Sequence, residues 1–206
     1  GRINRENNLG DRELLTTANP CAEAPLPAYG SCCLGSLNLV AFVREAFRHG
    51  ARLDVERLEA VVATAVRLLD DVLDRTPYPL LQQRTVALAT RRIGLGVTGI
   101  ADALTLLGLR YDTPAARAHA ADWLTHIRDA AYGASVDLAR EKGAYPAFRA
   151  AACLARPFVA RLPDALRVAI GRHGLRNSHL LAIAPAGSIS LLAGNVSSGI
   201  EPPPGR

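Results

Sequence analysis

Residues 19–39 read NPCAEAPLPAYGSCCLGSLNL, and they constrain the fold of this chain more than any other stretch. The segment contains three prolines, Pro20, Pro25 and Pro27. Because proline has no backbone N–H to donate, such a segment is excluded from the centre of a sheet. It also contains three of the four cysteines of the chain. We therefore predict a rigid loop that presents Cys21 at its tip.

An extended backbone would place the polar side chains of this loop on one face. Residues at i, i+2 and i+4 of an extended chain point the same way, so Asn19, Cys21 and Glu23 are expected to lie side by side. An amide, a thiol and a carboxylate would then share one surface. Each of these side chains taken alone is compatible with an inert role, a buried thiol or a surface acid.

Composition indicates one large domain or two small ones, since the chain has 206 residues of which 49% are hydrophobic. No apolar run is long enough to span a membrane, and no signal peptide is recognisable, so we expect a cytoplasmic protein without a membrane partner. The chain has no methionine. Gly1 is therefore not expected to be a translational start, and the sequence is interpreted as an internal piece of a longer protein.

The cysteines and the charges limit the kinds of site and ligand that are expected for this chain. Four cysteines without a CxxC pair form neither a disulfide framework nor a zinc site, so we predict reactive or reduced thiols and no metal site. The formal net charge is +5, and Lys142 is the only lysine. An arginine-rich chain suits an anionic ligand such as a nucleotide. The arginines are scattered and lack interleaved aromatics, so direct nucleic-acid binding is not predicted.

Three helices are predicted from periodicity and capping. The first covers about 55–74 with Asp54 as its N-cap and an apolar stripe formed by Leu58, Val61, Val62, Ala65, Val66, Leu69, Val72 and Leu73. Asp70, Asp71 and Asp74 suit acid–base or metal chemistry, although a solvated helix face is favoured. The second begins after Thr113 and reaches about Lys142, and its predicted core residues are Trp123, Leu124, Ile127, Ala131, Ala134 and Leu138. The third covers 163–173 and ends at Gly174.

Isolated histidines and the fourth cysteine are assigned structural positions. His119 and His126 lack a partner acid or cysteine that would complete a metal site, so both are expected at the surface or at its boundary. Cys153 lies between alanines and a leucine and is expected to be a small buried hydrophobe.

A glycine run, Gly94, Gly96 and Gly99, has the GxGxxG spacing that allows a backbone to approach a pyrophosphate. A dinucleotide-binding fold requires a clear apolar strand just before the first glycine and an acidic residue about 20 positions on, and here the strand is replaced by residues 89–92, Ala-Thr-Arg-Arg. Close helix packing through small residues is favoured, and a nucleotide-binding oxidoreductase is kept as an alternative.

A second candidate ligand site lies in residues 179–194. A short apolar strand, a turn with Pro185 and Gly187, and an apolar helix beginning near Ser188 would direct free backbone N–H groups at an anion. An ordinary strand-to-helix turn is the alternative. The absence of a Walker lysine excludes a P-loop of the ATPase kind.

Five segments together resemble the ribonucleotide reductase large chain, because their order and approximate spacing match it. They are NPCAEAPLP, YGSCCLGSLNL, RRIGLGVTGIADAL, IAPAGSIS and SSGIEP. The first segment is most similar to the adenosylcobalamin-dependent class. The resemblance implies an α/β fold that is part of a ten-stranded α/β barrel with a radical-cysteine loop, helix-rich in this fragment, so that residues 1–206 would form a partial catalytic barrel domain.

The resemblance also implies roles for individual residues. Cys21 would carry the thiyl radical, Glu23 would be the general base for the 3′-hydroxyl, and Asn19 would hold the substrate hydroxyls and Glu23. Cys32 would be half of the redox dithiol; because Cys33 stands where the family usually has asparagine, Cys33 remains an alternative. The substrate-binding residues implied are Ser31, Ala186, Gly187, Ser188 and Ile189. Cys21 is expected on a buried loop, with Glu23 near it and the 186–189 turn facing the same cavity.

The same resemblance implies adenosylcobalamin as cofactor, without identifying residues that bind it. The implied partners are a ribonucleoside di- or triphosphate, a thioredoxin-like thiol reductant acting through a tail outside this sequence, and the remaining part of the reductase. The alternative to a catalytic chain is a non-catalytic remnant or split subunit that binds another chain.

Overall fold

The computed structural model describes residues 1–202. Its helices are α1 (Arg2–Glu6), α2 (Val55–Arg75), α3 (Leu81–Thr90), α4 (Ile100–Leu106), α5 (Pro114–Lys142), α6 (Ala150–Leu154), α7 (Pro157–Ala160), α8 (Asp164–His173) and α9 (Ser188–Leu192). Its strands are β1 (Thr17–Ala18), β2 (Pro25–Leu26), β3 (Cys33–Asn38), β4 (Val43–Arg44), β5 (Arg52–Leu53) and β6 (Ile93–Thr98). A 3₁₀ turn, Leu39–Phe42, follows β3.

The central feature is a parallel pair of strands, β3 and β6, whose register runs from Cys33 opposite Ile93 to Asn38 opposite Thr98. A third segment joins on the other side of β6 through a parallel bridge between Leu95 and Leu181. All six residues of β6 are buried, as expected for a parallel strand that is covered on both faces. The described residues thus form a helix-rich α/β fold in which the predicted ten-stranded barrel is not seen.

The glycine run lies mainly in β6, so the expected packing of helices through these small residues is wrong. A Cβ on Gly96 would overlap the carbonyl oxygen of Ala182 and lie 3.0 Å from Cα of Ile183. The missing side chain therefore allows the neighbouring backbone to approach. Gly99 follows the strand with φ +73° and is the N-cap of α4. The space beside Gly96 is filled by protein, which argues against a dinucleotide at this position.

The two longest helices, α2 and α5, pack against each other and form much of the core. Both begin at the predicted caps: the Asp54 carboxylate accepts from the N–H of Arg57 at 3.1 Å, and the Thr113 hydroxyl accepts from the N–H of Ala116 at 3.2 Å. The predicted core positions of α5 are buried or packed against the core. In α2 the stripe is confirmed except at Val72, which is 39% exposed.

The other local predictions are confirmed. Helix α8 covers nearly the predicted range, and Gly174 with φ +80° ends it by donating its N–H to the carbonyl of Ile170 at 2.8 Å. Cys153 is buried in the core with 2% of its surface exposed. His119 is exposed and His126 is half-buried.

The prediction of a solvated acidic face on α2 is wrong for Asp70, which is fully buried. Its carboxylate accepts from Arg91 at 2.8 Å, from Arg176 at 3.1 Å and from the amide of Asn177 at 2.9 Å. Asp74, nearer the surface, accepts from Arg91 at 2.7 Å. Helix periodicity identified the apolar stripe but could not show that arginines from distant segments reach the same helix.

Candidate functional site

The loop that carries Cys21 is the tip of a β-hairpin. Strands β1 and β2 pair antiparallel, with Thr17 opposite Leu26 and Ala18 opposite Pro25. Asn19 closes the tip, because its side-chain oxygen accepts from the N–H of Ala24 at 3.0 Å and its carbonyl accepts from the N–H of Ala22 at 2.9 Å. The predicted loop with Cys21 at its tip is present, and Asn19 stabilises the turn.

The expected common face of Asn19, Cys21 and Glu23 is not formed. Ala22 has φ +66°, which interrupts the alternation of an extended strand. Cys21 is exposed, whereas Glu23 is half-buried and its Oε2 is closed off from solvent. The expectation of a buried Cys21 is therefore wrong for this structure, because no other described segment covers the hairpin tip.

Glu23 and Cys32 meet at one small cavity of about 50 Å³. Its lining residues are Glu23, Ala24, Pro25, Cys32, Arg92, Ile93, His179, Leu181 and Ala182. Oε2 of Glu23 has no hydrogen-bond partner among the described residues. An unpaired buried carboxylate oxygen is costly unless a ligand or water satisfies it, so its presence marks a place for a polar occupant. The 186–189 turn is not among the described residues that line this cavity.

Two residues of this cavity were not predicted as site residues, Arg92 and His179. Arg92 is buried, with 3% of its side chain exposed, and its Nη2 donates to Glu13. Its Nε and Nη1 have no partner in the described part of the chain. In the sequence, the paired arginines before the glycine run interrupt the apolar strand that a dinucleotide site requires. No neighbouring residue indicated that the side chain of Arg92 turns inward.

His179 is held between two polar groups. Its Nε2 lies 3.0 Å from the amide oxygen of Asn7, and its Nδ1 lies 3.0 Å from the hydroxyl of Ser178. The amide oxygen can only accept, so Nε2 carries the proton and Nδ1 accepts from the hydroxyl. Burial, with a further contribution from the nearby Arg92 guanidinium, lowers the pKa of His179 well below its ordinary value. The ring is therefore neutral at physiological pH.

The Cys32 thiol is protonated in this environment. Burial raises the pKa of Cys32 to about 12; the Arg92 charge opposes that rise, while Cys33 and Glu23 add to it. Burial also raises the pKa of Cys33. Both thiols are therefore available as hydrogen and proton donors near neutral pH, and neither is a spontaneous nucleophile.

Ser31 lies at a second cavity, of about 350 Å³, which it shares with both Cys32 and Cys33. Tyr78 and Gln83 also line this cavity. Cys32 thus contacts two cavities, the first with Glu23 and the second with Ser31 and Cys33. The structure does not separate the two thiols as candidates for the redox dithiol, but Cys32 is the one that shares a cavity with Glu23.

The 186–189 turn does not offer the predicted set of free donors. The N–H of Ala186 donates to the carbonyl of Ser198 at 2.9 Å, and that of Gly187 donates to the Ser198 hydroxyl at 2.8 Å. The N–H of Ile189 donates to the carbonyl of Ala186 at 3.1 Å. The helix that follows, α9, has only five residues. Ser198 thus accepts from two of the N–H groups that were expected to bind an anion.

The acidic residues of α2 are held in ion pairs. Asp70, Asp71 and Asp74 bring carboxylate oxygens close together, and Arg91, Arg176 and Lys142 pair with them. The negative charge of this cluster is therefore balanced by cationic side chains. In the described part of the chain, no helix has the length and apolar character needed to cross a membrane.

The known proteins to which this chain is similar are ribonucleotide reductases. The family model described as the ribonucleotide reductase barrel domain matches residues 1–205. A vitamin B12-dependent ribonucleoside-diphosphate reductase of Mycobacterium tuberculosis is 41% identical over 200 residues, which are 97% of this chain and 26% of that protein. The protein of the same name from Thermoplasma acidophilum is 39% identical over 205 residues, or 97% of this chain and 23% of that protein. The ribonucleoside-diphosphate reductase subunit alpha of Treponema pallidum is 37% identical over 155 residues, which cover 72% of this chain and 18% of that subunit.

The match to the family model extends over nearly the whole sequence, and the segments in it include the Cys21 hairpin, Cys32 and the glycine-rich strand. The chain spans about a quarter of the length of these two vitamin B12-dependent relatives. This chain belongs to the ribonucleotide reductase family, and residues 1–205 match the model of its barrel domain.

Proposed function

We propose that this chain is part of the catalytic domain of an adenosylcobalamin-dependent ribonucleotide reductase and contributes Cys21, Glu23 and Cys32 to its active site. The observation that carries the proposal is the cavity lined by both Glu23, which has an unpaired carboxylate oxygen, and Cys32. The hairpin whose tip holds Cys21 forms part of the wall of this cavity. A carboxylate without a partner next to a protonated thiol suits a reaction that removes a proton and supplies hydrogen.

The proposed reaction replaces the 2′-hydroxyl of a ribonucleotide by hydrogen. A thiyl radical at Cys21 takes the 3′-hydrogen, since the S–H and the ribose C–H bonds are close in strength. Glu23 accepts the proton of the 3′-hydroxyl as general base, which eases loss of the 2′-hydroxyl as water. Cys32 and a second thiol together give two electrons and two protons and become a disulfide, and Cys21 returns the hydrogen to C3′. The products are one deoxyribonucleotide, one disulfide and one water.

Asn19 and the phosphate turn take different parts in this proposal. Asn19 fixes the hairpin tip through Ala24, and its amide nitrogen is the group proposed to reach the substrate hydroxyls. Phosphate binding by residues 186–189, with the Ser188 hydroxyl, requires Ser198 to release the N–H groups of Ala186 and Gly187. Ser31 is proposed to contact substrate from the neighbouring cavity.

The proposed cofactor, adenosylcobalamin, is supported by the names of the relatives and by the residues of the segment NPCAEAPLP, which are most similar to the adenosylcobalamin-dependent class. The described residues do not form its site. The cavities beside the hairpin measure about 530 and 280 Å³, which is the size range for drug-sized ligands, whereas the corrin cofactor is far larger. We assign none of these residues to cofactor binding. The relatives extend well beyond the matched part, and their additional segments are proposed to complete the ten-stranded barrel, cover Cys21 and hold the cofactor.

A chimera tests the proposal. The segment of the Mycobacterium tuberculosis relative that matches this chain is replaced by residues 1–206, and deoxyribonucleotide formation with a dithiol reductant is followed by chromatography. We expect turnover in the chimera, loss of turnover in Cys21→Ala, and a decrease of about 10²–10⁴-fold in Glu23→Gln, the range for general acid–base catalysis. Cys153→Ala is the matched control and is expected to retain turnover, because Cys153 lies in the core.

The exposure of Cys21 favours one competing function, a non-catalytic chain that binds another protein. The same chimera separates the two. An inactive chimera that still folds, or undiminished turnover in the Cys21→Ala protein, would refute the catalytic assignment.

A further inference from the structure

Arg92 is the most unusual charged residue of the described structure, because a buried guanidinium rarely lacks hydrogen-bond partners. Its side chain is 3% exposed, and Nε and Nη1 have no partner among residues 1–202. The single pairing is from Nη2 to Glu13. A buried unpaired donor is retained at a cost in stability, which indicates a role for its charge.

The charge of Arg92 faces the cavity that Cys32 shares with Glu23. Cys32 Sγ is held against β6: a Cβ built on Gly94 would lie 3.0 Å from this sulfur. Arg92 stands two residues before Gly94, immediately ahead of the same strand. Cys33 is opposite Ile93 in the parallel pair, so Cys32 and Arg92 stand next to each other, each immediately before its own strand.

We infer that Arg92 is a positioning residue that stabilises the thiolate form of Cys32 by its buried positive charge. When Cys32 loses its proton, the electron pair that remains on sulfur is attracted by the guanidinium, and the unpaired N–H groups provide donors for it. The ionisable groups around Cys32 are Glu23 on the hairpin, Cys33 next to it, Arg92 before β6, His179 beside β6 and Tyr78 after α2. His179 is neutral, so Arg92 is the one cation among these described residues.

The catalytic meaning of this contact rests on the proposed function. After ribonucleotide reduction, Cys32 is bonded to a second sulfur. An external dithiol restores the pair: its thiolate forms a new S–S bond to that second sulfur, the bond to Cys32 breaks, and Cys32 takes the electron pair and then a proton. The other thiolate of the external dithiol then closes that dithiol's own disulfide and releases the second sulfur as a thiolate. A leaving thiolate that is stabilised departs faster, so Arg92 would accelerate regeneration of the dithiol.

The effect of Arg92 on the Cys32 thiolate is measured without turnover. The chain is treated with iodoacetamide at about pH 9, and alkylation of each cysteine is followed by peptide mass spectrometry. Below the thiol pKa the alkylation rate is proportional to the thiolate fraction, and one pKa unit is a tenfold change. We expect Arg92→Gln to slow alkylation of Cys32 about tenfold or more, whereas Arg92→Lys, which retains the charge, should stay within about threefold of the parent rate. Exposed Cys21 serves as the internal reference and should not change.

A merely structural role for Arg92 predicts that the alkylation rate of Cys32 changes in the opposite direction. Loss of packing would open the cavity, and alkylation of Cys32 would then become faster in both variants. That result, or an unchanged rate in Arg92→Gln, overturns the inference. If Arg92→Gln does not fold because Glu13 is left unpaired, the double variant Arg92→Gln/Glu13→Gln leaves no isolated charge. It is expected to slow Cys32 alkylation as well, and a rate equal to the parent rate would refute the role of Arg92. None of these rates depends on whether the chimera reduces ribonucleotides.

Discussion

Replacing Gly96 by alanine tests the assignment of the glycine run to strand packing. The added Cβ would overlap the carbonyl oxygen of Ala182 and lie 3.0 Å from Cα of Ile183, and both are backbone atoms that cannot rotate away. The segment must therefore move outward, and two hydrogen bonds made by β6 weaken: Leu95 N–H to Leu180 at 2.7 Å, and Ala182 N–H to Leu95 at 3.1 Å.

The size of the effect follows from these contacts. Overpacking costs about 1–3 kcal/mol, and each weakened hydrogen bond contributes up to about 1 kcal/mol, so we expect a loss of about 2–4 kcal/mol in the free energy of unfolding. With a urea slope of about 2 kcal/mol per molar, the unfolding midpoint should fall by about 1–2 M. Urea titration followed by far-ultraviolet circular dichroism measures this shift.

Gly133 provides the matched control. It lies within α5, and the nearest atom to an added Cβ is Cδ2 of Leu166 at 3.9 Å, so alanine fits without displacement. Because alanine is the better helix former, Gly133→Ala should raise stability by about 0.5–1 kcal/mol. The assignment would be refuted by equal shifts of the urea midpoint in the two variants, or by a loss below about 0.5 kcal/mol in the free energy of unfolding of Gly96→Ala. Either result would show that the close approach of the Ala182 backbone to β6 does not require glycine at position 96.

Two further predictions concern the ion pairs of α2. Asp70→Ala should cost about 3–5 kcal/mol in urea unfolding, because it removes the buried carboxylate that pairs with both Arg91 and Arg176, whereas Asp71→Ala, which loses only a surface pair with Lys142, should cost less than about 1 kcal/mol. Similar losses would contradict the buried network. Hydrogen bonds from Arg91 lower the pKa of Asp74. The stabilisation from this lowered pKa is present above the unfolded pKa of about 3.9 and is lost as pH falls through the folded value, so stability should decline below about pH 4 and decline less steeply in Asp74→Asn. Urea titrations at a series of acidic pH values measure this, and identical pH profiles would rule out the contribution of Asp74.

Local features were predicted reliably because they depend on neighbours in the chain. Helices α2, α5 and α8 begin and end close to the predicted residues, since caps such as Asp54, Thr113 and Gly174 act within one turn of the helix. The proline-rich segment also predicted the loop that presents Cys21 at its tip, but not the strand pair on either side of it. The errors concern longer distances: the alternation from Asn19 to Glu23 failed because Ala22 adopts a positive φ that closes the turn.

The sequence by itself determined the family, the loop that carries Cys21 and the three long or capped helices, because residue types, spacing and capping are local properties. Only the tertiary structure showed that Asp70 is buried, that the glycines of β6 admit the Ala182 backbone, and that Arg92 faces the cavity of Cys32 and Glu23. Each of these facts depends on segments that are distant in the chain. Desolvation and close packing act on whatever the fold brings together, so the charge environment of the Cys32 thiol could not be derived from its neighbours in sequence.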